Sequence, residues 1–187
     1  MRCMGYEAAL SKAWAELDAV AGKAQAAAVR FLADTYDVDR SQRLILSRSC
    51  NAPAKDFVSI LLLHYAVKSL RGLPALRGQW ISFRELSGGE SYYSAFYKRS
   101  IEPLVRKYGT QPQAFLESGR RIGARELKQA DAALQVEAFD GVPVVIELWK
   151  GDSEFGAEAN MLFDAGISLI FDTEDIAVLG GFVARHI

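Results

Sequence analysis

Apolar residues recur at helical spacing in two long segments of the first third of the chain. Ala9, Ala13, Trp14 and Leu17 share one helical face and predict a first helix over residues 6–20. The segment AKDFVSILLLHYAVKSL is apolar nearly all round. A helix without a polar face is typical of the centre of a core, so this segment predicts a second, central helix.

The last helix is predicted from its start. Asp172 can cap it, and Glu174 and Asp175 suit the positive end of the helix dipole. Gly180 and Gly181 interrupt the pattern, and glycine inside a helix costs about 1 kcal/mol relative to alanine. The pair therefore predicts either the end of the helix or the close passage of another backbone.

Proline positions divide the helical middle of the chain. A helix is predicted from about Ser91, with Pro103 restarting it and Ser100 as the new cap. Thr110 and Pro112 predict the start of another helix, which extends to about residue 121.

Short apolar or alternating runs predict strands. They lie at residues 29–33, 43–47, 79–85, 134–139, 144–149, 161–163 and 167–171. The segment DTYDVDRSQ is predicted as a turn between the first two, and Asp140 with Gly141 as the turn of a hairpin. A short second helix is a further possibility after Gly22.

A helical first part followed by a mostly antiparallel sheet predicts the α+β class. The 187 residues are enough for one globular domain over residues 1–187, since a chain of this size buries roughly 70% of its unfolded surface. We therefore expect a single α+β domain in which the sheet packs against helices.

The segment QWISFRELSGGESYYSAFYKR, residues 79–99, contains the highest concentration of side chains that could bind a ligand. Alternation along its strand places Ile81 and Phe83 toward the core and Trp80, Ser82 and Arg84 on the opposite face.

The same segment then turns at two glycines and enters a helix. Gly88 and Gly89 would let a ligand approach the backbone, and a helix start offers free N–H groups to an anion. Arg84 could bind a carboxylate or phosphate, and Tyr92 could stack on a planar ligand. The candidate ligand-binding residues are therefore Trp80, Ser82, Arg84, Gly88, Gly89 and Tyr92. The alternative is a structural junction in which Arg84 pairs with an acid and the tyrosines enter the core.

A histidine lies on an apolar helical face. His64 shares that face with Phe57, Ile60 and Leu61. Two interpretations stay open: a hydrogen-bonded core residue, or a general base or axial metal ligand. His186, the other histidine, lies at the end of the sequence.

The loop GDSEFGAEANMLFD carries several acids, of which Asp152 and Glu154 are secondary candidates for a site. The glycine that a calcium loop needs at its sixth position is absent, because Ala157 stands there when the count starts at Asp152. The loop is either a solvated acidic surface or a source of carboxylates for acid–base chemistry or Mg²⁺.

Composition narrows the function classes. The net charge of −1 argues against a general nucleic-acid-binding protein, which needs an excess of Lys and Arg. The charge is uneven, however, because residues 98–128 are mainly basic and residues 137–175 mainly acidic. This polarity suits two solvated faces, or a surface for a partner or an anionic ligand.

The cysteine positions and the hydropathy of the chain indicate whether it binds a metal and where in the cell it lies. Cys3 and Cys50 form no ligand motif, so we expect no metal site and two reduced thiols. The longest apolar run, residues 60–63, is far too short to span a bilayer, and the first residues have no signal-peptide core. These features predict a cytoplasmic protein. No cofactor is indicated by the residues.

Two long segments resemble a known family. GQWISFRELSGGESYYSAFYKRSIEPL and LWKGDSEFGAEANMLFDAGISLIFDTEDIAVLG, with GYEAALSKAW and ILLLHY, are similar to the uncharacterised prokaryotic family called domain of unknown function 3786. The resemblance implies a family found largely in anaerobes, with some members fused to a cysteine-rich iron–sulfur domain like that of corrinoid proteins. This chain has no such segment. The resemblance implies an iron–sulfur or corrinoid protein as a partner.

Three hypotheses of function follow. The first is an accessory binding module that takes an anionic, planar ligand or a redox protein partner on the surface formed by residues 80–99. The second is a small-molecule enzyme, with a cleft that places Arg84 opposite Asp152 or Glu154 and His64 at its floor. The third is a structural protein whose oppositely charged faces pair in an assembly.

Overall fold

The computed structural model describes residues 4–22 and 26–187. The helices are α1 Met4–Val20, α2 Asp56–Arg71, α3 Gly89–Phe96, α4 Glu102–Tyr108, α5 Pro112–Arg121 and α6 Thr173–His186. The strands are β1 Ala26–Phe31, β2 Asp34–Asp39, β3 Leu44–Ser47, β4 Trp80–Ser82, β5 Arg125–Leu127, β6 Ala132–Phe139, β7 Val142–Trp149 and β8 Glu158–Asp164. Short 3-10 turns occupy Phe83–Glu85 and Ile167–Leu169, and a π-helical turn, Tyr97–Ile101, joins α3 to α4.

The strands form two antiparallel sheets. The first has the order β1-β2-β3, and the second has the order β4-β8-β7-β6-β5. The turn between β6 and β7 contains Gly141, whose φ of +76° favours glycine. The predicted α+β class and the predicted hairpin at this turn are confirmed.

The two sheets share one core. The backbone N–H of Leu32, just after β1, donates to the carbonyl of Ala138 in β6 at 2.7 Å. The ring of Phe139 stacks on Phe31 at 4.5 Å and on Tyr65 of α2 at 4.4 Å. The central helix α2 thus packs at the junction of both sheets, as its all-round apolar sequence predicts.

The turn predicted in residues 34–42 is only partly right, because residues 34–39 form β2 and the turn is confined to residues 40–43. Strand β2 contains three aspartates, although Asp is depleted in strands. In the structure each acid has a local partner: Asp34 accepts from Ser47, Asp37 from Arg48 and Asp39 from Ser41. Val38 fills the core between them.

Other element predictions need correction. The strand predicted at residues 29–33 is β1, which begins earlier, at Ala26, and ends at Phe31. Residues 26–28 therefore do not form the short helix that was a possibility after Gly22, and residues 23–25 lie outside the described part of the chain. Residues 167–171 form a 3-10 turn instead of a strand, and the short edge strand β5 was not predicted. Cys50 is an exposed free thiol, while Cys3 lies outside the described residues.

The predicted restart at Pro103 is confirmed, since this proline lies in the first turn of α4. Ser100 is not the cap. It lies inside the π-helical turn, fully buried, and its hydroxyl has no hydrogen-bond partner among the described residues. Residues 4–22 and 26–187 contain no helix long and apolar enough to cross a membrane.

The glycine pair of α6 marks a close approach and not a helix end. A Cβ on Gly180 would lie 2.7 Å from the ring of Phe96 and 3.1 Å from the Met161 sulfur. A Cβ on Gly181 would meet only ordinary contacts, the nearest at 3.7 Å from Arg99. Gly180 therefore allows α6 to pack against the end of α3 and β8.

We expect the two glycines to respond in opposite directions to alanine. Gly180→Ala should lower the free energy of unfolding by about 1–2 kcal/mol, because overpacking a core outweighs the gain in helix propensity. Phe96 cannot move aside easily, since its ring stacks on Phe83 at 4.0 Å. Gly181→Ala, the matched control, should raise it by roughly 0.5–1 kcal/mol. Urea unfolding of both variants measures the difference, and equal effects would contradict the close approach.

Candidate functional site

Two of the predicted site residues are held in local contacts. The guanidinium of Arg84 lies 3.9 Å over the ring of Tyr93 and 3.8 Å from Glu90, with about half its side chain exposed. Ser82 donates through its backbone N–H and its hydroxyl to one oxygen of Glu85, at 2.7 and 2.8 Å. These hydrogen bonds hold the pKa of Glu85 below its usual value. Ser82 is thus the cap of the 3-10 turn.

The two predicted glycines have structural roles in the turn before α3. Gly88 has φ of +74°, a conformation that L side chains rarely adopt. A Cβ on Gly89 would lie 1.9 Å from the carbonyl oxygen of Phe83, so only glycine fits there. These contacts explain both glycines without a ligand.

The predicted aromatic residues lie on the surface. Tyr92 is exposed and its hydroxyl donates to Glu174 at 3.2 Å. Trp80 is also exposed and pairs across the sheet with Asp164. Neither side chain lines a cleft with Arg84.

A cleft of about 520 Å³ lies beside Arg84, and we call it the Arg84 cleft. Its lining residues are Ser82, Arg84, Tyr93, Tyr97, Glu158, Ala159 and Asn160. The structure thus brings Ser82 and Arg84 together here, but not Trp80, Gly88, Gly89 or Tyr92. The carboxylate in this cleft is Glu158, and neither Asp152, Glu154 nor His64 lines it, so the cleft expected between Arg84 and the acidic loop is not formed as predicted.

The two predicted acids of the loop between β7 and β8 are exposed. Asp152 accepts from the backbone N–H groups of Glu154 and Phe155, both at 2.7 Å, and closes a tight turn. These bonds, Phe155 foremost, keep the pKa of Asp152 below its usual value. Within residues 4–22 and 26–187, no group of three or more His, Cys, Asp and Glu side chains could hold a metal ion.

His64 belongs to a different cleft, built where α2 passes the first turn of α6. Its Nδ1 lies 2.6 Å from a carboxylate oxygen of Asp175. The position of Asp175 follows from the predicted cap, because Asp172 accepts from the Asp175 backbone N–H at 2.8 Å. His64 is therefore hydrogen-bonded, as the core interpretation expected, yet 26% of its side chain remains exposed.

The surroundings of the pair shift both pKa values. The hydrogen bond to Asp175 raises the pKa of His64, and burial opposes this only in part. Burial raises the pKa of Asp175, against the effect of His64. Because Nδ1 of His64 is committed to Asp175, Nε2 is the ring nitrogen left for exchange with a ligand.

The cleft beside this pair, the His64 cleft, has a volume of about 360 Å³. Its charged and polar lining residues are Lys12, Glu16, His64, Lys68, Arg71, Ser168, Asp172 and Asp175. His64, Lys68 and Arg71 recur at helical spacing along one side of α2. An acid–base group and three cations, of which Lys68 and Arg71 lie on α2 with His64, therefore share one concave surface.

Sequence patterns did not reveal Asp175 as the partner of His64. The two residues are 111 positions apart, and Asp175 was explained fully by the helix dipole. One sequence signal for the cleft was available: Lys68 and Arg71 follow His64 at helical spacing, on one side of α2. The apolar neighbours of His64 obscured this signal.

Comparison with known proteins identifies a family but no individual relative. The family model for domain of unknown function 3786 matches residues 10–186, nearly the whole chain. The chain belongs to the DUF3786 family. No curated protein and no solved structure matches it.

The His64–Asp175 pair should make the stability of this DUF3786 chain depend on pH. The pKa of His64 is raised in the fold above its unfolded value of about 6.5, so its charged form stabilises the fold below that pH. This contribution is lost as the pH rises through the raised pKa. We expect the free energy of unfolding to fall as the pH rises above about 6.5 and through the raised pKa of His64.

Two substitutions separate this effect from general titration. His64→Gln should flatten the pH dependence of urea unfolding over that range. His186→Gln, which removes the other histidine, should leave it unchanged, because His186 is exposed and contacts only a backbone carbonyl and a ring. Equal pH profiles for wild type and His64→Gln would show that the pair does not carry the effect.

Proposed function

We propose that this DUF3786 chain binds a small anionic molecule in the His64 cleft and exchanges a proton with it through His64. The observation that carries the proposal is the 2.6 Å hydrogen bond between His64 and Asp175 at the wall of a cleft that also contains Lys68 and Arg71. We place this activity in the cytoplasm.

The first step is the orientation of the imidazole. The carboxylate of Asp175 is 10% exposed and accepts from Nδ1 of His64, which fixes the ring and its tautomer. Nε2 can then give or take a proton, the usual work of a general acid or base. Asp175 acts as a positioning residue, because its hydrogen bond orients the ring of His64.

The second step is attraction of an anion. Lys68 lies one helical turn beyond His64 and Arg71 about two turns, which are rises of roughly 6 and 10 Å along α2. Neither cation forms an ion pair with a carboxylate of the described residues. Lysine and arginine side chains bind carboxylate and phosphate groups strongly when they converge on one site.

The third step is coupling between the protonation of His64 and the binding of the anion. A protonated His64 adds a positive charge to the anion site, and a bound anion in turn favours the protonated ring. The formal charges of Lys12, Lys68 and Arg71 are cancelled by those of Glu16, Asp172 and Asp175, so the protonation of His64 decides whether the cleft is net positive. Binding of an anion and the charge of His64 should therefore depend on each other.

Sulfate is the probe that tests this coupling, because its charge does not change between about pH 6 and about pH 9. We expect saturable binding by calorimetry that weakens as the pH rises through the pKa of His64. His64→Gln should remove the pH dependence. Lys68→Gln and Arg71→Gln should each weaken binding about tenfold, the value of one charged hydrogen bond.

Lys98→Gln is the matched control, since Lys98 is exposed on the π-helical turn and lies outside the cleft. Sulfate binding that is absent, or that has the same pH dependence in His64→Gln, would overturn the proposal. Binding that weakens equally in Lys68→Gln and Lys98→Gln would show a general charge effect instead of a site.

A second candidate function is an accessory module that binds an anionic, partly planar ligand or a redox partner at the Arg84 cleft. It is favoured by the stacking of Arg84 on Tyr93 beside the exposed ring of Tyr97, since both groups offer flat surfaces to a ligand. An iron–sulfur or corrinoid protein as that partner rests on the family resemblance alone.

The second candidate is tested on protein purified without oxygen, by its visible spectrum and native mass. We expect bound mass beyond the 20.6 kDa chain, lost in Arg84→Gln and in Tyr97→Ala. Tyr92→Ala is the control, because Tyr92 is equally exposed but lies outside the cleft. The chain mass alone, or mass retained in both cleft variants, would remove this candidate.

A further inference from the structure

We propose a second ligand site, for an aromatic carboxylate, in a pocket at the far end of α2 and α6 from His64. This Arg99 pocket has a volume of about 210 Å³. It lies between Tyr6 near the start of α1, Phe57 at the start of α2, Arg99 of the π-helical turn and the last turns of α6. The proposal does not depend on the function proposed for the His64 cleft.

Aromatic rings form the walls of the pocket. The ring centroids of Tyr6 and Phe57 are 6.3 Å apart, and those of Phe57 and Phe182 are 5.7 Å apart. Phe182 is held from behind by the edge of Phe31 at 5.6 Å. Rings at these separations pack against a further flat apolar group in stacked or edge-to-face geometry.

Two arginines supply the charge. Arg99 and Arg185 both line the pocket, both are exposed, and neither forms an ion pair with a carboxylate of residues 4–22 or 26–187. Arg185 lies 5.9 Å from the centroid of Phe182, so cation and ring wall are adjacent. A carboxylate attached to a ring matches this arrangement, because guanidinium groups bind carboxylates in a bidentate manner while the ring meets the wall.

A favourable interaction with the helix dipole explains the position of only one of the two arginines. Arg185 lies in the last turn of α6, where a cation favours the negative end of the helix dipole. Arg99 lies in no such position. Its presence beside α6 depends on the π-helical turn, whose extra residue rotates the chain by about 100° relative to a regular helix.

The π-helical turn is energetically unfavourable, and a role in forming the pocket would explain why it is present. π-helical turns are rare and occur often at functional sites, and the buried hydroxyl of Ser100 in this one has no hydrogen-bond partner within residues 4–22 and 26–187. The turn brings Arg99 against α6, where a Cβ on Gly181 would lie 3.7 Å from that of Arg99, an ordinary van der Waals contact. The π-helical turn therefore shapes the arginine side of the pocket.

Benzoate is the probe, with benzamide as its neutral analogue and acetate as the anion without a ring. Each is titrated into the ¹⁵N-labelled chain while backbone amides are followed by NMR. We expect saturable shifts for benzoate at residues 177–185, with benzamide and acetate each about tenfold weaker, because each lacks one of the two recognised groups.

Substitutions identify the charged contacts. Arg99→Gln and Arg185→Gln should each weaken benzoate binding about tenfold. Arg121→Gln, at the exposed end of α5, is the matched control and should change nothing. His64→Gln should also leave benzoate binding intact, since His64 lies two helical turns along α2 from Phe57.

Several results would overturn the site. These are benzoate shifts that do not centre on residues 177–185, equal affinity for benzoate and benzamide, or unchanged affinity in both Arg99→Gln and Arg185→Gln. Loss of benzoate binding in His64→Gln would assign the effect to the other cleft. Failure of sulfate to bind beside His64 would leave this site unaffected, so the two proposals fail separately.

Discussion

The close approach of α6 to the turn between α3 and α4 is the constraint on which the rest of the structure depends. It exists because Gly180 has no side chain where Phe96 and Met161 press against the helix. Through this contact the last helix lies against the five-stranded sheet and beside α2. One end of α6 then faces His64, and the other faces Arg99. Both candidate sites are consequences of where this helix lies.

The two sites use charge in different ways. At the His64 cleft the cations are balanced by carboxylates, so the protonation of His64 decides whether the cleft is net positive. At the Arg99 pocket the charges are fixed, because arginine stays protonated at any pH of interest. A pH-sensitive site and a pH-independent one therefore lie at opposite ends of one pair of helices. Neither needs a metal ion to attract an anion.

The strand–turn–helix segment of residues 79–99 shows how far local patterns reach. Its sequence correctly indicated a turn at Gly88 and a core position for Phe83. The same residues suggested a ligand site because glycine, serine and arginine are also what anion sites use. The structure shows that Gly89 is required by a backbone contact and that Ser82 is a cap. Residue type alone cannot separate these roles, since both depend on what lies across the turn.

The sequence by itself determined the α+β class, the central helix, the β6–β7 hairpin and the start of α6, because periodicity, turn residues and caps act over a few positions. Only the tertiary structure decided the partner of His64 and the setting of Arg99. Asp175 meets His64 across 111 positions, and Arg99 reaches α6 through a π-helical turn that no local pattern announces. Contacts between distant segments arise from packing of the whole core. The acidic segment of β2 is a strand for the same reason, because it pairs with β1 on one side and β3 on the other.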